Sequence, residues 1–203
     1  NTEKVFQFMP DNLPVHAEFW LDRQDNAYEA DDTKTPLTAG RKFLGIQGQL
    51  WSENTRNDDM AEYKIYPRLF ALAERAWHLA DWAVPYNYQG AKYSQKTNVF
   101  SKQQQTRREQ DWLVFANTIG QKTLAKLERE QVFYRLPTVG AKIDAGQLFA
   151  NVAFPGLAIE YKDQAGQWTR YQSPMAVNGE VLVRSVSYDG KRKGRITKVK
   201  TTN

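Results

Sequence analysis

Residues Phe43–Glu53 read FLGIQGQLWSE, and their side chains alternate between two kinds of chemistry. Leu44 and Leu50 mark an apolar side, whereas the opposite side carries glutamine amides and ends in Trp51 and Glu53. Because successive side chains of a β-strand point to opposite faces, this alternation predicts a strand with one apolar face. The indole and the carboxylate are two residues apart, so we expect them to point the same way.

The residues that follow this predicted strand indicate a helix. Thr55, Asn57 and Asp58 are residue types that open helices. An amphipathic pattern then covers residues 58–78, and Pro67 predicts a break within it. A strand, a short loop and a helix, with aromatic and acidic groups at the carboxyl end of the strand, are typical of an α/β barrel. Active sites of that fold are built at that end of the strands.

Two other regions flank this unit. Residues 1–42 are predicted to be mostly loop, with a short strand at Val15–Trp20, and so long a connection is either a functional lid or poorly ordered. A second amphipathic helix is predicted at Thr106–Glu130, which Gly120 interrupts at a modest cost in helix propensity. The pattern leaves both interpretations of residues 1–42 open.

From Val132 onward the hydrophobic period changes to two, which predicts strands. Asn178-Gly179 and Asp189-Gly190 are strong signals for tight turns between them. The candidate strands are YRL at 134–136, LFANVAF at 148–154, LAIEY at 157–161, QWTRY at 167–171, EVLVRSV at 180–186 and RITKV at 195–199. Six or seven short strands within about 70 residues predict a small β-sandwich of the immunoglobulin type.

Composition excludes several classes of protein. The chain has no cysteine, so disulfides, thiolate metal sites and cysteine nucleophiles are excluded. The net charge is +5, but its dense cluster at Lys191–Arg195 lies beside glycines and predicts a solvated hairpin tip, not a nucleic-acid surface. No apolar run approaches the roughly 20 residues that span a membrane. We therefore expect neither nucleic acid nor a membrane span among the interactions of this chain.

The segment GIQGQLWSEN, followed by EYKIYPRLFALAERAW at Glu62–Trp77, resembles the last barrel strand and helix of the family 20 glycoside hydrolases, and most of all the bacterial chitobiase type of β-N-acetylhexosaminidase. The resemblance continues through residues 111–127 and 134–161 to the C-terminus. It implies an α+β fragment, the C-terminal end of a (β/α)8 barrel followed by a small immunoglobulin-like sandwich. The resemblance implies three parts. Residues 1–54 would be a loop and the last barrel strand, residues 55–131 the final barrel helix and a packing helix, and residues 132–203 the sandwich.

The resemblance assigns substrate binding to Trp51 and Glu53. In the family, the matching tryptophan forms part of the wall around the terminal N-acetylhexosamine, and the matching glutamate accepts hydrogen bonds from its outer hydroxyls. The chemistry suits both roles, since an indole covers the apolar face of a pyranose and a carboxylate forms charge-assisted bonds with hydroxyls. The structural alternative is a core tryptophan and a carboxylate favoured by a helix N-terminus.

The catalytic pair of the family is an adjacent Asp and Glu on an earlier barrel strand, and no Asp-Glu dipeptide occurs in this sequence. The acidic pairs Asp31-Asp32 and Asp58-Asp59 are predicted to be solvated or to cap a helix. No catalytic residue is therefore assigned. His16 and His78 lack a third ligand at metal spacing, so neither a metal nor any other cofactor is expected.

The resemblance implies hydrolysis of terminal N-acetylglucosamine from chitin oligosaccharides such as chitobiose by a substrate-assisted retaining mechanism. It also implies a periplasmic or secreted bacterial enzyme, and a missing N-terminal part that would be the partner of this chain, which we expect to be inactive alone. One alternative is a non-catalytic carbohydrate-binding sandwich that uses Trp168, Tyr171 or Tyr188. Another is a structural sandwich that braces the barrel through the helix at Thr106–Glu130.

Overall fold

The computed structural model describes residues 1–51, 53–164 and 166–200. The chain forms two compact units, the first from residues 1–51 and 68–112 and the second from residues 52–67 and 113–203. The helices are α1 Thr2–Phe6, α2 Asp58–Ile65, α3 Arg68–Trp77, α4 Lys102–Thr118 and α5 Leu124–Arg129, with a 3-10 helix at Pro14–Glu18 and a π-helical turn at Ile119–Thr123. The strands are β1 Ala30–Asp31, β2 Lys92–Tyr93, β3 Gly140–Asp144, β4 Gln147–Asn151, β5 Ala158–Lys162, β6 Trp168–Tyr171, β7 Met175–Ala176, β8 Val181–Val186 and β9 Thr197–Val199.

Both predicted helical regions are confirmed. Asn57 caps α2 by accepting a hydrogen bond from the Met60 amide at 3.0 Å, and Pro67 separates α2 from α3 as the sequence predicts. The second region, from Lys102 to Arg129, is helical, with its π-turn around Gly120. A Cβ added at Gly120 would lie 2.0 Å from the Pro155 carbonyl oxygen, so the absence of a side chain permits this close backbone approach.

The first unit has a core of its own, although it was predicted to be loop up to residue 42. Val15–Trp20 is not a strand, because His16 fixes a 3-10 turn there: its Nε2 accepts a hydrogen bond from the Met9 amide at 2.9 Å and its Nδ1 donates to the Leu13 carbonyl at 2.8 Å. Phe6 and Trp82 are buried nearby with their ring centres 6.3 Å apart, and the carbon of the Arg75 guanidinium lies 4.8 and 5.2 Å from these centres.

The acidic loop of the first unit is tied to the segment around β2. Asp32 accepts hydrogen bonds from the Ala91 amide at 2.7 Å and from the Tyr86 hydroxyl. Asp31 accepts from Thr33 and pairs with Lys92 at 2.9 Å, and these contacts lower the pKa of its carboxyl. The prediction that Asp31-Asp32 is a solvated pair is therefore only partly correct, since Asp31 is exposed but both carboxylates also hold the loop in place.

The strand predicted at Phe43–Glu53 is absent. Residues 41–51 form no helix or strand, and no other segment of the described ranges pairs with them. The predicted apolar face is not covered either, because Leu44 is fully exposed. Alternation specifies which side chains share a face, but a strand also requires a neighbour that satisfies its backbone N–H and C=O groups.

The second unit contains two antiparallel sheets, with strand orders β3-β4-β7 and β6-β5-β8-β9. Their shared core includes Leu148 from the first sheet and Ile159, Val181, Val183 and Val199 from the second. The strand pattern predicted after Val132 is confirmed for β4, β5, β6, β8 and β9. The immunoglobulin-like arrangement itself stays a prediction.

Two details of the strand prediction are wrong. Residues 134–136 are not a strand, because the Arg135 amide donates to the Tyr66 carbonyl at 3.1 Å and Tyr134 O accepts from the Arg192 guanidinium at 2.8 Å. The strand β3 lies instead at Gly140–Asp144, a segment that is not among the candidate strands predicted from the sequence.

Candidate functional site

Trp51 is not a core residue. It ends the irregular segment at residues 41–51 and is 80% exposed. An indole left in water at this level has no packing role in the part of the chain that the structure describes. The described residues therefore do not bury Trp51 in the way that the structural alternative requires.

Glu53 is also exposed, and among the described residues its carboxylate has no hydrogen-bond or ion-pair partner. It does not serve the start of α2, because Asn57 provides the N-cap and Asp58 and Asp59 occupy the first turn. The sequence prediction for Asp58-Asp59 is thus confirmed as helix-start chemistry. The expectation that Trp51 and Glu53 point the same way stays a prediction, since Ser52 lies outside the described residues.

The other ionisable groups of the first unit have structural roles. Arg75 packs against two neighbouring aromatic rings, and burial lowers the pKa of its guanidinium. Burial likewise lowers the pKa of His16, which keeps the imidazole neutral so that Nε2 accepts the Met9 amide. His78 contacts Glu74 at 3.2 Å. In the described ranges, no three His, Asp or Glu side chains lie close enough together to hold a metal ion.

The aromatic residues of the carbohydrate-binding alternative make internal contacts in the second unit. The Tyr171 hydroxyl accepts from the Ala150 amide at 3.1 Å, and the Tyr188 hydroxyl donates to the Gly120 carbonyl. The Trp168 ring is covered by the Arg184 guanidinium, whose carbon lies 3.8 Å from the ring centre. These contacts use the groups that would hold a sugar, so they favour a structural role for the three side chains.

The basic cluster at Lys191–Arg195 was predicted to be a solvated hairpin tip, and this is only partly correct. The turn at Asp189-Gly190 exists, with Gly190 at a φ of 74°. The Arg192 guanidinium, however, packs against the rings of Phe133 and Tyr134 at 4.7 and 4.3 Å. Contacts with aromatic rings hold this charge against the unit.

A partly buried ion-pair network lies beside this cluster. Arg184 donates to Glu160 through Nε and Nη2 at 2.9 and 2.8 Å, and Lys193 Nζ lies 3.2 Å from Glu160 Oε1. Burial alone would raise the pKa of Glu160, but the bonds from the two cations lower it. Glu160 therefore stays ionised and neutralises part of the basic cluster.

None of the helices in the described ranges is both long and apolar enough to cross a membrane.

Two family models match the chain. The catalytic domain of glycosyl hydrolase family 20 matches residues 5–80, and the chitobiase/beta-hexosaminidase C-terminal domain matches residues 123–196. The chain is 43% identical over 202 residues to an N,N'-diacetylchitobiase of Vibrio harveyi and 38% identical over 211 residues to a beta-hexosaminidase of Vibrio vulnificus. The chain belongs to glycosyl hydrolase family 20.

This family 20 chain spans only part of its relatives. The two alignments cover 98% of the chain but 22% of the Vibrio harveyi protein and 24% of the Vibrio vulnificus protein. A beta-hexosaminidase B of Pseudoalteromonas piscicida is 50% identical over 119 residues, which are 59% of the chain and 15% of that protein. The family resemblance inferred from GIQGQLWSEN is thereby confirmed.

Within the family 20 chain, Trp51 and Glu53 fall inside the range that the catalytic-domain model matches. The cleft that Phe133 and Arg192 help to form in the second unit was not predicted from the sequence. These two residues are 59 positions apart, and no motif or spacing connects them. The basic run and the aromatic pair were visible separately, but only the fold brings them together.

Proposed function

We propose that this chain is the C-terminal portion of a β-N-acetylhexosaminidase of the chitobiase type. The whole enzyme would release terminal N-acetylglucosamine from chitin oligosaccharides by the substrate-assisted retaining mechanism. The observation that carries the proposal is the freedom of two side chains inside the matched catalytic range: the indole of Trp51 is exposed, and the carboxylate of Glu53 has no partner among the described residues.

Each of these side chains has the chemistry that its proposed role needs. Stacking a pyranose on about 100 Å² of the Trp51 indole contributes roughly 2–3 kcal/mol. A hydroxyl of the sugar donating to the Glu53 carboxylate contributes about 1.5–3 kcal/mol. Both groups would bind the sugar without taking part in proton transfer, so we assign no catalytic residue to this chain.

The architecture that accompanies this function is also part of the proposal. We propose that residues 1–54 contribute loop and the last strand of a (β/α)8 barrel, that residues 55–131 contribute its final helix and a packing helix, and that residues 132–203 form an immunoglobulin-like sandwich. The exposed apolar side chains of the first unit, such as Leu44 and the 96% exposed Trp77, are suited to pack against further barrel residues. The remainder of the same enzyme is thus the partner, and the location is the periplasm or outside the cell.

Substitution within the full-length enzyme tests the pocket. Trp51→Ala should lower kcat/KM for chitobiose about 30-fold or more, and Glu53→Gln about tenfold or more, from the contact energies above. Tyr88→Ala and Glu130→Gln are control variants that remove an exposed aromatic ring and an exposed carboxylate elsewhere. If the two control variants lowered kcat/KM as much as Trp51→Ala and Glu53→Gln do, the assignment of Trp51 and Glu53 would be wrong.

A second experiment tests whether the isolated chain has hydrolytic activity. The 203-residue chain alone should not release the chromophore from a chromogenic N-acetylglucosaminide, because the Asp and Glu of the family mechanism are not in it. Release that exceeds a mock preparation would contradict the inactivity of the isolated chain, whereas the pocket assignment would still rest on the substitutions.

A further inference from the structure

The second unit contains a cleft of about 290 Å³ that includes neither Trp51 nor Glu53. Helix α2, the segment between α5 and β3, and the stretch before β9 build its walls. The lining residues that matter are Tyr63, Phe133, Tyr134, Thr138, Arg192 and Arg195. Among the described residues that line it, none carries a carboxylate.

The aromatic wall of this cleft is held in place by hydrogen bonds. The Phe133 amide donates to Glu62 Oε2 at 2.5 Å, and the Tyr134 hydroxyl donates to Glu128 Oε2 at 2.6 Å. Burial and the bond to Glu128 raise the pKa of Tyr134, so its hydroxyl stays protonated and keeps donating. A ligand would therefore meet a preformed wall and would lose little free energy in ordering it.

Arg192 presents a fixed guanidinium to the cleft. Its charge stacks on the rings of Tyr134 and Phe133, and Nη1 donates to the Tyr134 carbonyl at 2.8 Å. A guanidinium has five N–H donors, so several stay available, and the stacking has already removed much of the side-chain freedom. In the part of the chain that is described, no carboxylate forms an ion pair with this side chain.

Arg195 supplies a second uncompensated charge. Its side chain lines the cleft, and it has neither a hydrogen-bond nor an ion-pair partner among the described residues. Lys193, between the two arginines, differs because Glu160 neutralises it at 3.2 Å. The cleft therefore holds two guanidinium groups whose charge the described residues leave unpaired.

We propose that this cleft binds the carboxylate of a monosaccharide-sized acidic sugar. A carboxylate matches the planar fork of an arginine in both geometry and charge. The Arg135 and Arg192 guanidinium groups lie 5.3 and 4.7 Å from the ring centres of Tyr63 and Phe133, so these partly exposed rings offer only their remaining surface to the C–H groups of a sugar. The Thr138 hydroxyl can bond to a ring hydroxyl. The volume lies at the lower end of the range for small-ligand sites, which suits one ring. The lining of the cleft includes neither Trp51 nor Glu53, so this proposal does not depend on the proposed function.

Titration of the 203-residue chain with glucuronate, followed by calorimetry at fixed ionic strength, tests the proposal. We expect a dissociation constant on the order of 1 mM, which is ordinary for a ligand of this size. Glucose, which lacks the carboxylate, should bind at least about tenfold more weakly. Acetate and sulfate, which lack the sugar ring, should also bind more weakly than glucuronate.

Arg195→Gln provides the decisive variant, because the side chain is exposed and its loss should not disturb folding. It should weaken glucuronate binding about tenfold, whereas Arg170→Gln removes the same charge from an exposed position on β6 and should leave binding unchanged. Circular dichroism checks that both variants are folded. The proposal would be overturned if the chain did not bind glucuronate, or if glucose, acetate or sulfate bound as tightly as glucuronate. It would also be overturned if Arg170→Gln weakened glucuronate binding as much as Arg195→Gln.

Discussion

The segment at residues 43–51 and the strand β8 have comparable strand patterns but different structures. In β8, Val181 and Val183 are fully buried, and β5 and β9 pair with the strand on either side. In the other segment Leu44 is fully exposed, and no described strand pairs with it. The difference shows that alternation predicts which residues could share a face, whereas strand formation depends on the supply of pairing partners.

Hydrogen exchange should give the largest contrast between these two regions. Amides of residues 43–51 lack partner strands and should exchange close to the rate of an unfolded chain. The inner amides of β8 should exchange at least about 1000-fold more slowly, because their opening requires the second unit to unfold. Mass spectrometry or NMR of the 203-residue chain measures both.

The second half of α3 serves as the internal control of this experiment. It belongs to the same unit as residues 43–51, and its protection would show that the first unit is folded. Protection of residues 43–51 within tenfold of that of β8 would contradict the distinction between the two regions.

A matched pair of leucine substitutions should show the same contrast in stability. Leu148 is fully buried in the core that the two sheets of the second unit share, so Leu148→Ala should lower the free energy of unfolding of this unit by about 2–5 kcal/mol. Leu44→Ala removes the same atoms from a fully exposed side chain and should change stability by no more than about 0.5 kcal/mol. Urea unfolding followed at the β8 amides and at α3 separates the two units. A loss of more than 1.5 kcal/mol from Leu44→Ala would show that the segment has a packing partner.

The sequence predicted most of the second unit because its partners are close along the chain. The strand β5 pairs with β6, the next strand along the chain, and in β8 the buried Val183 alternates with the less buried Leu182 and Arg184. The capping of α2 by Asn57 and the break at Pro67 are local effects of single side chains, so they too could be predicted. The 3-10 turn at His16 was mistaken for a strand because it depends on a buried imidazole that bonds to two backbone groups.

The candidate sites were predictable to different degrees. Trp51 and Glu53 belong to one short motif, so a resemblance could identify them. The cleft depends on Tyr63, Phe133 and Arg195, which lie far apart in sequence. Its assembly requires the Arg192 stack and the Glu62 bond, which no periodicity encodes.

The pH dependence of the first unit tests whether this unit has a specific core despite its exposed segment. Burial lowers the pKa of His16 below its unfolded value of about 6.5, so the unfolded state binds the proton more tightly. The contribution of His16 is therefore present above about pH 6.5 and is lost as the pH falls below it. Protonation of Nε2 would replace the acceptor of the Met9 amide with a donor.

The two histidines of the chain provide the comparison. His16→Gln should reduce the loss of stability of the first unit between pH 7 and pH 5, whereas His78→Gln, at a half-exposed position, should retain it. Urea unfolding observed at α3 gives the free energies. A pH dependence that disappears with His78→Gln but persists with His16→Gln would contradict the role of His16.

The smallest effect is expected at the turn between β3 and β4, where local geometry helps to pair two strands. Ala145 has a φ of 48° and Gly146 a φ of 74°, and both values belong to the left-handed region that a type I′ turn requires. Alanine is strained there, whereas asparagine tolerates the conformation, so Ala145→Asn should stabilise the second unit by about 0.5–1 kcal/mol. Ala145→Gly should gain less, because glycine also increases the entropy of the unfolded chain. The urea concentration at the unfolding midpoint should rise from the wild type to Ala145→Gly and then to Ala145→Asn, at a constant m value. A midpoint for Ala145→Asn below that of the wild type would show that the turn does not set the register of β3 and β4. Residues 43–51 lack such a turn to a neighbouring strand, which is why a similar side-chain pattern leaves them unpaired.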